Sequence, residues 1–435
     1  MKVLMFGWEF PPHISGGLGT ACYGLTRGMA TIPDLEVTFV VPKAFGDEDQ
    51  SKIKIIGANN IPLKYRKLNY SRFQKNIEYI EVDSKLVPYV DPEEFWRLKS
   101  SEVSSTLKYL QTDAEGKLYF TGKYGKDLLQ EIANYAIVAN VIAQDHDFDI
   151  IHAHDWLTYP AGIAAKQASG KPLVIHVHAT DFDRSGGSVN PVVYDIEKQG
   201  MEAADKIITV SNLTRSIVIE KYNIDPDKVV TVYNAVDPVK ELKTAQNKAV
   251  DEKIVTFLGR ITMQKGPEYF IEAAHKVLKR MDNVRFVMAG SGDMMEKMIR
   301  RAAQLKIMDK FHFTGFLKGD DVFNMLGISD LYIMPSVSEP FGISPLEAMQ
   351  SNVPVLISHQ SGVAEILTYA IKTNFWDIDA MADAIYGVLK YPSLSSTFKK
   401  YGKEEVDQLK WENSALRIKE VYLSTLHLTT NNHQK

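Results

Sequence analysis

Short apolar runs recur along this chain at residues 2–7, 35–41, 149–153, 172–177, 206–211 and 229–233, with helix-forming stretches such as Thr20–Ala30, Gly125–Gln144 and Thr214–Tyr222 between many of them. A strand that is apolar along its whole length must be covered on both faces. Helices between successive strands supply that cover, and they also supply the crossover that parallel pairing requires. The pattern predicts an α/β fold with a doubly wound parallel sheet. It then recurs: beyond the polar stretch Asp237–Glu252, runs at 254–258, 284–289, 311–316, 331–334 and 353–357 again alternate with helices. The expectation is two Rossmann-like domains in tandem, facing across a cleft.

At 435 residues the chain is too long for one ordinary core, and two domains of roughly 200 residues each are the natural division. We expect the first to span 1–240 and the second 250–408. Residues 43–124 interrupt the first with a long, weakly patterned region, of the kind that forms lids or binding surfaces. It holds KYRKLNYSRFQK at 64–75, FWRL at 95–98 and LYFTGKY at 118–124. Solvated loops and packing aromatics are the first reading of these pieces; aromatic faces stacking on a ligand, or contact with an anionic membrane, are the second. With 45% hydrophobic and 24% charged residues the composition is that of a soluble globular protein, and a net charge of -4 argues for no nucleic-acid partner. The single cysteine, Cys22, excludes an intrachain disulfide and a cysteine-based zinc cluster, and makes a reducing cytoplasm the simplest setting. MKVLMFGWEF reads as a first buried strand, its apolar run being too short for a signal peptide, and no stretch approaches a membrane span in length.

The most legible chemistry lies in LYIMPSVSEPFGISPLEAMQSNVPVLIS, 331–358. An apolar strand, Leu331–Met334, gives way to breakers at 335–340, and Pro345 opens a short run of helix formers. A helix starting just past a strand end offers its first N–H groups, near Gly342, Ile343 and Ser344, to an anion such as phosphate. Glu339 and Glu347 stand eight positions apart on either side of that place. The arrangement suits a sugar nucleotide, with one carboxylate accepting from a ribose diol and the other from hydroxyls of the sugar. Solvated charges on a loop and a helix are the plain alternative. The segment SEPFGISPLEAMQSNVPVLIS resembles the paired-glutamate E-x7-E signature of retaining, GT-B fold glycosyltransferases of the glycogen synthase and sucrose synthase type. That resemblance implies a GT-B architecture whose last helix, 409–428, crosses back to the first domain.

Other segments resemble the same family. Gly16, Gly17 and Gly19 precede a helix after the first strand, where glycine lets backbone N–H groups approach a diphosphate. They match the family's N-terminal glycine loop, with Glu9 on the donor or acceptor side. Bacterial glycogen synthases have a lysine just before these glycines, and this chain has His13, Ile14 and Ser15 instead. DIIHAHDWLTYPAG, 149–162, ends a strand in His152, His154, Asp155 and Trp156. The histidine pair suggests a metal only weakly, since nothing else nearby completes a ligand set. The resemblance carries Asp155 and Trp156 over to the sugar and acceptor end and leaves His152 structural. His176 and His178 share a face of the next strand, so spacing cannot choose between them. The resemblance selects His178 as the residue facing the transferred sugar and leaves His176 to the core.

FLGRITMQKG, 257–266, places Arg260 and Lys265 after the first strand of the second domain, and fixed cations there suit a departing diphosphate. The resemblance makes them the diphosphate clamp. It places the MAGSGD turn, with Gly290 and Gly292, at the nucleoside and Phe316 of FTGFL at the base. Ser361, before Gly362, stands where the family often has a glycine. Asp147/Asp149, Asp181/Asp183 and Asp377/Asp379 are Asp-x-Asp pairs of a frequency expected by chance; Arg260, Lys265 and the helix dipole supply the positive charge, so no metal and no other cofactor is expected. The whole implies transfer of a hexosyl group, glucosyl first, from ADP- or UDP-glucose to an α-glucan or other carbohydrate. Retention would follow a same-face route. The alternatives are a glycosyltransferase of surface polysaccharide, glycolipid or disaccharide synthesis, a sugar-nucleotide epimerase, and a non-catalytic nucleotide-sugar-binding protein.

Overall fold

The structure, a computed structural model, describes residues 1–13, 16–63, 112–238 and 251–432. Segments 64–75 and 95–98, together with Ile14 and Ser15, lie outside the described residues. The chain divides into two compact units. The first is Met1–Val210 with Thr214–Tyr233 and Trp411–Lys435, and the second is Asn234–Lys410 with Ser211–Leu213.

In the first unit β1 (Lys2–Phe6), β2 (Glu36–Val41), β3 (Lys54–Gly57), β4 (Ile150–His154), β5 (Leu173–Val177), β6 (Lys206–Thr209) and β7 (Val229–Thr231) form one sheet in the order β3-β2-β1-β4-β5-β6-β7. Every pairing in it is parallel. In the second, β8 (Lys253–Leu258), β9 (Val284–Ala289), β10 (Phe311–Gly315), β11 (Leu331–Met334), β12 (Val355–Ser358) and β13 (Ile371–Thr373) form another, in the order β10-β9-β8-β11-β12-β13, again all parallel. The central strands are buried along their whole length, as the apolar runs require. Two strands escaped the sequence reading. β3 and β13 are short edge strands of four and three residues, too brief to show a pattern, and β3 gives regular structure to part of the stretch read as an irregular insertion.

Each sheet is centred in its own core. Phe6, Ile151 and Ile175 pack with Tyr135 and Ile142 from the helix Leu128–Asp145. The Tyr135 hydroxyl meets the carbonyl oxygens of Gly7 at 3.1 Å and Val40 at 2.7 Å, tying the end of β1 to β2. Phe257, Phe270, Phe286 and Phe311 centre the second core. The final helix, Trp411–Asn432, belongs to the first unit and lies on the helix Gly17–Met29. Glycine at 24 and 28 makes this possible, because a Cβ on Gly24 would stand 2.1 Å from the Trp411 ring and one on Gly28 2.6 Å from the Trp411 carbonyl oxygen. Among the described residues no helix is long and apolar enough to cross a membrane.

Candidate active site

The strand order of the second sheet reverses at β8, with β9 and β10 on one side and β11 to β13 on the other. Loops leaving two neighbouring strands there turn away from each other and open a crevice at the carboxyl ends, the usual ligand site of such sheets. Arg260 and Lys265 follow β8, and Glu339 follows β11.

These loops are stitched together. Lys265 Nζ donates to the Glu339 carboxylate, and Ser336 Oγ donates to the same oxygen at 3.3 Å. Gln264, 5% exposed, accepts from Arg260 Nη2 at 3.2 Å and donates from its amide to the Ser338 carbonyl at 3.1 Å. The Gln264 carbonyl in turn accepts from Val337 N at 2.9 Å. One buried amide thus aligns the arginine with the loop that carries the first glutamate. Sequence reasoning passed over Gln264, because only burial distinguishes it from a solvated glutamine.

The glycine turn after β9 has a steric reason to be glycine. Gly290 has φ +145° and a Cβ there would meet the Gly259 oxygen at 1.8 Å, while a Cβ on Gly292 would meet the Ile261 oxygen at 2.3 Å. Both partners are backbone, and Gly259 N and Ile261 N bond back to Ala289 O and Ser291 O at 3.0 and 2.9 Å. The turn therefore props the loop that bears Arg260. Gly292→Ala is expected to cost about 1–3 kcal/mol, read as a lowered thermal midpoint; an unchanged midpoint would mean that the two loops separate freely.

Gly342, at φ +99°, turns the chain into a short helix, Ser344–Gln350, capped at Ile343. Ser344 Oγ lies 2.8 Å from the Tyr332 hydroxyl on β11. Burial above all raises that phenol beyond the usual range; the hydrogen bond to Ser344 opposes the rise, and the carboxylates of Glu339 and Glu347 add to it. The Glu347 carboxyl is pushed up to about 7, by loss of hydration first and the Asp237 carboxylate second. Phe316, just past β10, is 54% exposed, with Lys318 Nζ 5.7 Å from its ring centroid.

The first sheet reverses between β1 and β4; Glu9 follows β1, His154 ends β4, and Asp155 and Trp156 follow it. Asp155 takes a left-handed conformation, φ +61°. Its carboxylate accepts from His178 N at 3.0 Å, Ala179 N at 3.2 Å and Arg184 Nη2 at 3.1 Å. It braces the strand end bearing His178 rather than standing open. His178, half-buried, is held neutral: burial lowers it to about 4, outweighing the raising effect of Asp155. Glu9 is buried, and Trp156, 2% exposed, packs into the core, where its large apolar ring loses most contact with water. Gly16 is extended and Gly17 begins the helix, and a Cβ on either would meet nothing within 4 Å. Close packing among the described residues does not explain those two glycines. The histidine pair in β4, expected to stand alone, has a third histidine beside it, His176 on β5. The spacing along the chain had no means of revealing this, since the third residue comes from a neighbouring strand.

The sequence pattern of the glycosyl transferases group 1 matches residues 238–405, and that of glycosyltransferase family 4 matches 116–240, so together they cover 116–405 without a gap. The chain belongs to the group 1 glycosyltransferases. This glycosyltransferase has the GT-B fold. It is similar to an uncharacterized glycosyltransferase of Methanocaldococcus jannaschii, 28% identical over 97% of this chain and 98% of that one. It is also similar to glycogen synthase of Mycobacterium tuberculosis, 22% identical over 98% of this chain and 95% of that one. Among solved structures it resembles Anabaena HepE in complex with UDP and glucose, at a TM-score of 0.66 and 16% identity over 98% and 100% of the two chains. The Asp-x-Asp pairs of this glycosyltransferase have structural uses. Asp147 pairs with Lys2, Asp183 accepts from Thr180 N, Asp181 accepts from Asn190 N, and Asp377 caps the helix Ile378–Lys390.

Proposed function

We propose that this glycosyltransferase moves a hexosyl group, glucosyl in the first instance, from a nucleotide diphosphate sugar to a hydroxyl of an α-glucan, with retention of anomeric configuration. The observation that carries the reading is the joining of Lys265 to Glu339 at the switch point of the second sheet, with Arg260 held alongside by Gln264. Arg260 and Lys265 face the diphosphate, helped by the N–H groups of Gly342, Ile343 and Ser344. Glu339 accepts from the sugar hydroxyls and Glu347 from the ribose diol. Phe316 offers its face to the base, and Gly290 and Gly292 hold the loop beneath the nucleoside. Gly16 and Gly17 offer open backbone to the donor. On the acceptor side stand Glu9 and neutral His178, with Asp155 bracing the latter.

The bond from the anomeric carbon to the phosphate oxygen breaks as a bond to the acceptor oxygen forms on the same face. The acceptor proton passes to the departing diphosphate, so no enzymic nucleophile is needed. Positioning and fixed positive charge supply the rate, and no cation is required at the diphosphate. A cytoplasmic setting is supported by the single, buried, free Cys22.

The test is incubation with ADP-, UDP- and GDP-sugars, with and without glycogen or maltooligosaccharide, measuring free nucleotide and labelled sugar in product. Glucan-dependent release with α-linked product is expected. Transfer only to lipid-linked or disaccharide acceptors would replace the glucan. Epimerised sugar, or tight binding without turnover, would overturn the transferase reading. A pH series refines it. Glu347 accepts best as a carboxylate, and the donor's diphosphate diester does not titrate near neutrality. Donor affinity should therefore rise with pH through about 7, while Glu347→Gln should bind weakly at every pH. A wild-type affinity flat from pH 6 to 8 would count against this role.

A further inference from the structure

We propose that the first unit binds one divalent transition-metal ion of the zinc class on His152, His154 and His176, at a buried site that adjoins His178 through His154. His152 and His154 share one face of β4, and the register of the parallel pair sets His154 beside His176 on β5. The ring centroids lie 4.2 Å apart for His152 and His154, 5.4 Å for His152 and His176, and 5.2 Å for His154 and His176. One nitrogen from each of the three lies within 4.8 Å of the others.

All three side chains are fully buried. Nε2 of His152, Nε2 of His154 and both ring nitrogens of His176 have no hydrogen-bond partner among the described residues. Buried polar atoms are nearly always satisfied, so four such atoms on three touching side chains call for something that binds them. Burial keeps the imidazoles neutral, the form whose lone pair can ligate. The outer nitrogens are already held in the manner of metal ligands. His152 Nδ1 lies 2.5 Å from the Tyr422 hydroxyl and His154 Nδ1 lies 2.9 Å from His178 Nε2, each leaving Nε2 for an ion.

A set made only of imidazole nitrogen suits zinc, cobalt, nickel or copper and not magnesium or calcium. The rings are stacked, so binding turns them about Cβ–Cγ until the ligand atoms stand about 3.4 Å apart around a tetrahedral ion. With Nε2 of His154 on the ion, its Nδ1 carries the proton and donates to His178, which places the His178 proton on Nδ1. That consequence rests on the role proposed for His178; the ion itself does not.

The full chain, purified by a tag free of histidine, stripped with chelator and re-equilibrated with zinc, is analysed by mass spectrometry for metal. About one zinc per chain and a raised thermal midpoint are expected, with a more than tenfold fall in retained zinc in His176→Leu. A cobalt-loaded sample should show tetrahedral visible absorption and no thiolate charge-transfer band. Failure of the wild-type chain to retain zinc overturns the proposal, as does undiminished zinc in folded His176→Leu. A thiolate band would move the ion to Cys22, His154 and His178, whose ligand atoms are also close, and overturn the three-histidine set. If His176→Leu does not fold, metal content, midpoint shift and cobalt spectrum of the wild-type chain decide. None of these readouts depends on turnover, so their failure leaves the transferase reading untouched.

Discussion

Lys265→Ala is expected to lower kcat by about 10²–10³-fold, the loss typical when one fixed donor to developing negative charge is removed. Lys265 Nζ is pinned on Glu339 between two loops, with side chains 18% and 8% exposed, so little water would take its place. Its charge matters most as the diphosphate departs, so kcat should fall more than KM rises. Ser336 Oγ still donates to Glu339 in the variant, so the fold should survive. Lys265→Arg separates charge from shape, since a guanidinium is a wide planar fork and an ammonium a point. Initial rates over a donor series decide the matter: a kcat within twofold of wild type in Lys265→Ala would remove the clamp assignment.

Arg184→Met should destabilise the first unit by about 3–5 kcal/mol, as expected when one partner of a buried charge network is lost. Its guanidinium donates to Asp155 at 3.1 Å, Glu197 at 3.0 Å and the Ala179 carbonyl at 3.0 Å, and all three side chains are less than a tenth exposed. Burial already lifts Glu197 from 4.5 to about 7, against the lowering effects of Arg184 and the Tyr222 hydroxyl. The sign follows. A carboxyl whose folded pKa exceeds its unfolded value costs stability as pH rises from the unfolded pKa to the folded one. Losing Arg184 raises the folded value further, so the deficit should be smaller at pH 6 than at pH 8. Denaturant unfolding at both pH values tests this; a loss below 1 kcal/mol, or an equal loss at both, would show that the network matters little. Because Asp155 braces His178, turnover should fall as well.

Much of the site was legible because its chemistry is local. Glu339 and Glu347 lie on one strand-loop-helix segment, and Arg260 and Lys265 on another, so the resemblance of each short segment to the family could single them out as candidates. The fold class was legible for a related reason: a strand apolar from end to end has no stable place except between two layers. What stayed hidden depends on neighbours distant in sequence. Gln264 reads as an ordinary glutamine until Ser338 and Arg260 close around it. Asp155 reads as a residue open to ligand until Arg184 and two backbone N–H groups claim its oxygens. Nor does the sequence show that Trp156, assigned to the acceptor side by resemblance, packs into the core of the first unit.

The amino-acid sequence alone determined the two parallel α/β sheets and the family, since hydrophobic periodicity and short motifs act within a few residues of themselves. Tertiary structure alone decided that the loops after β8 and β11 share one switch point, that Gly292 is a spacer for the Arg260 loop, and that three histidines from two strands gather in one buried place. Strand order and register set those neighbours, and both arise from the packing of whole layers, which no single segment encodes.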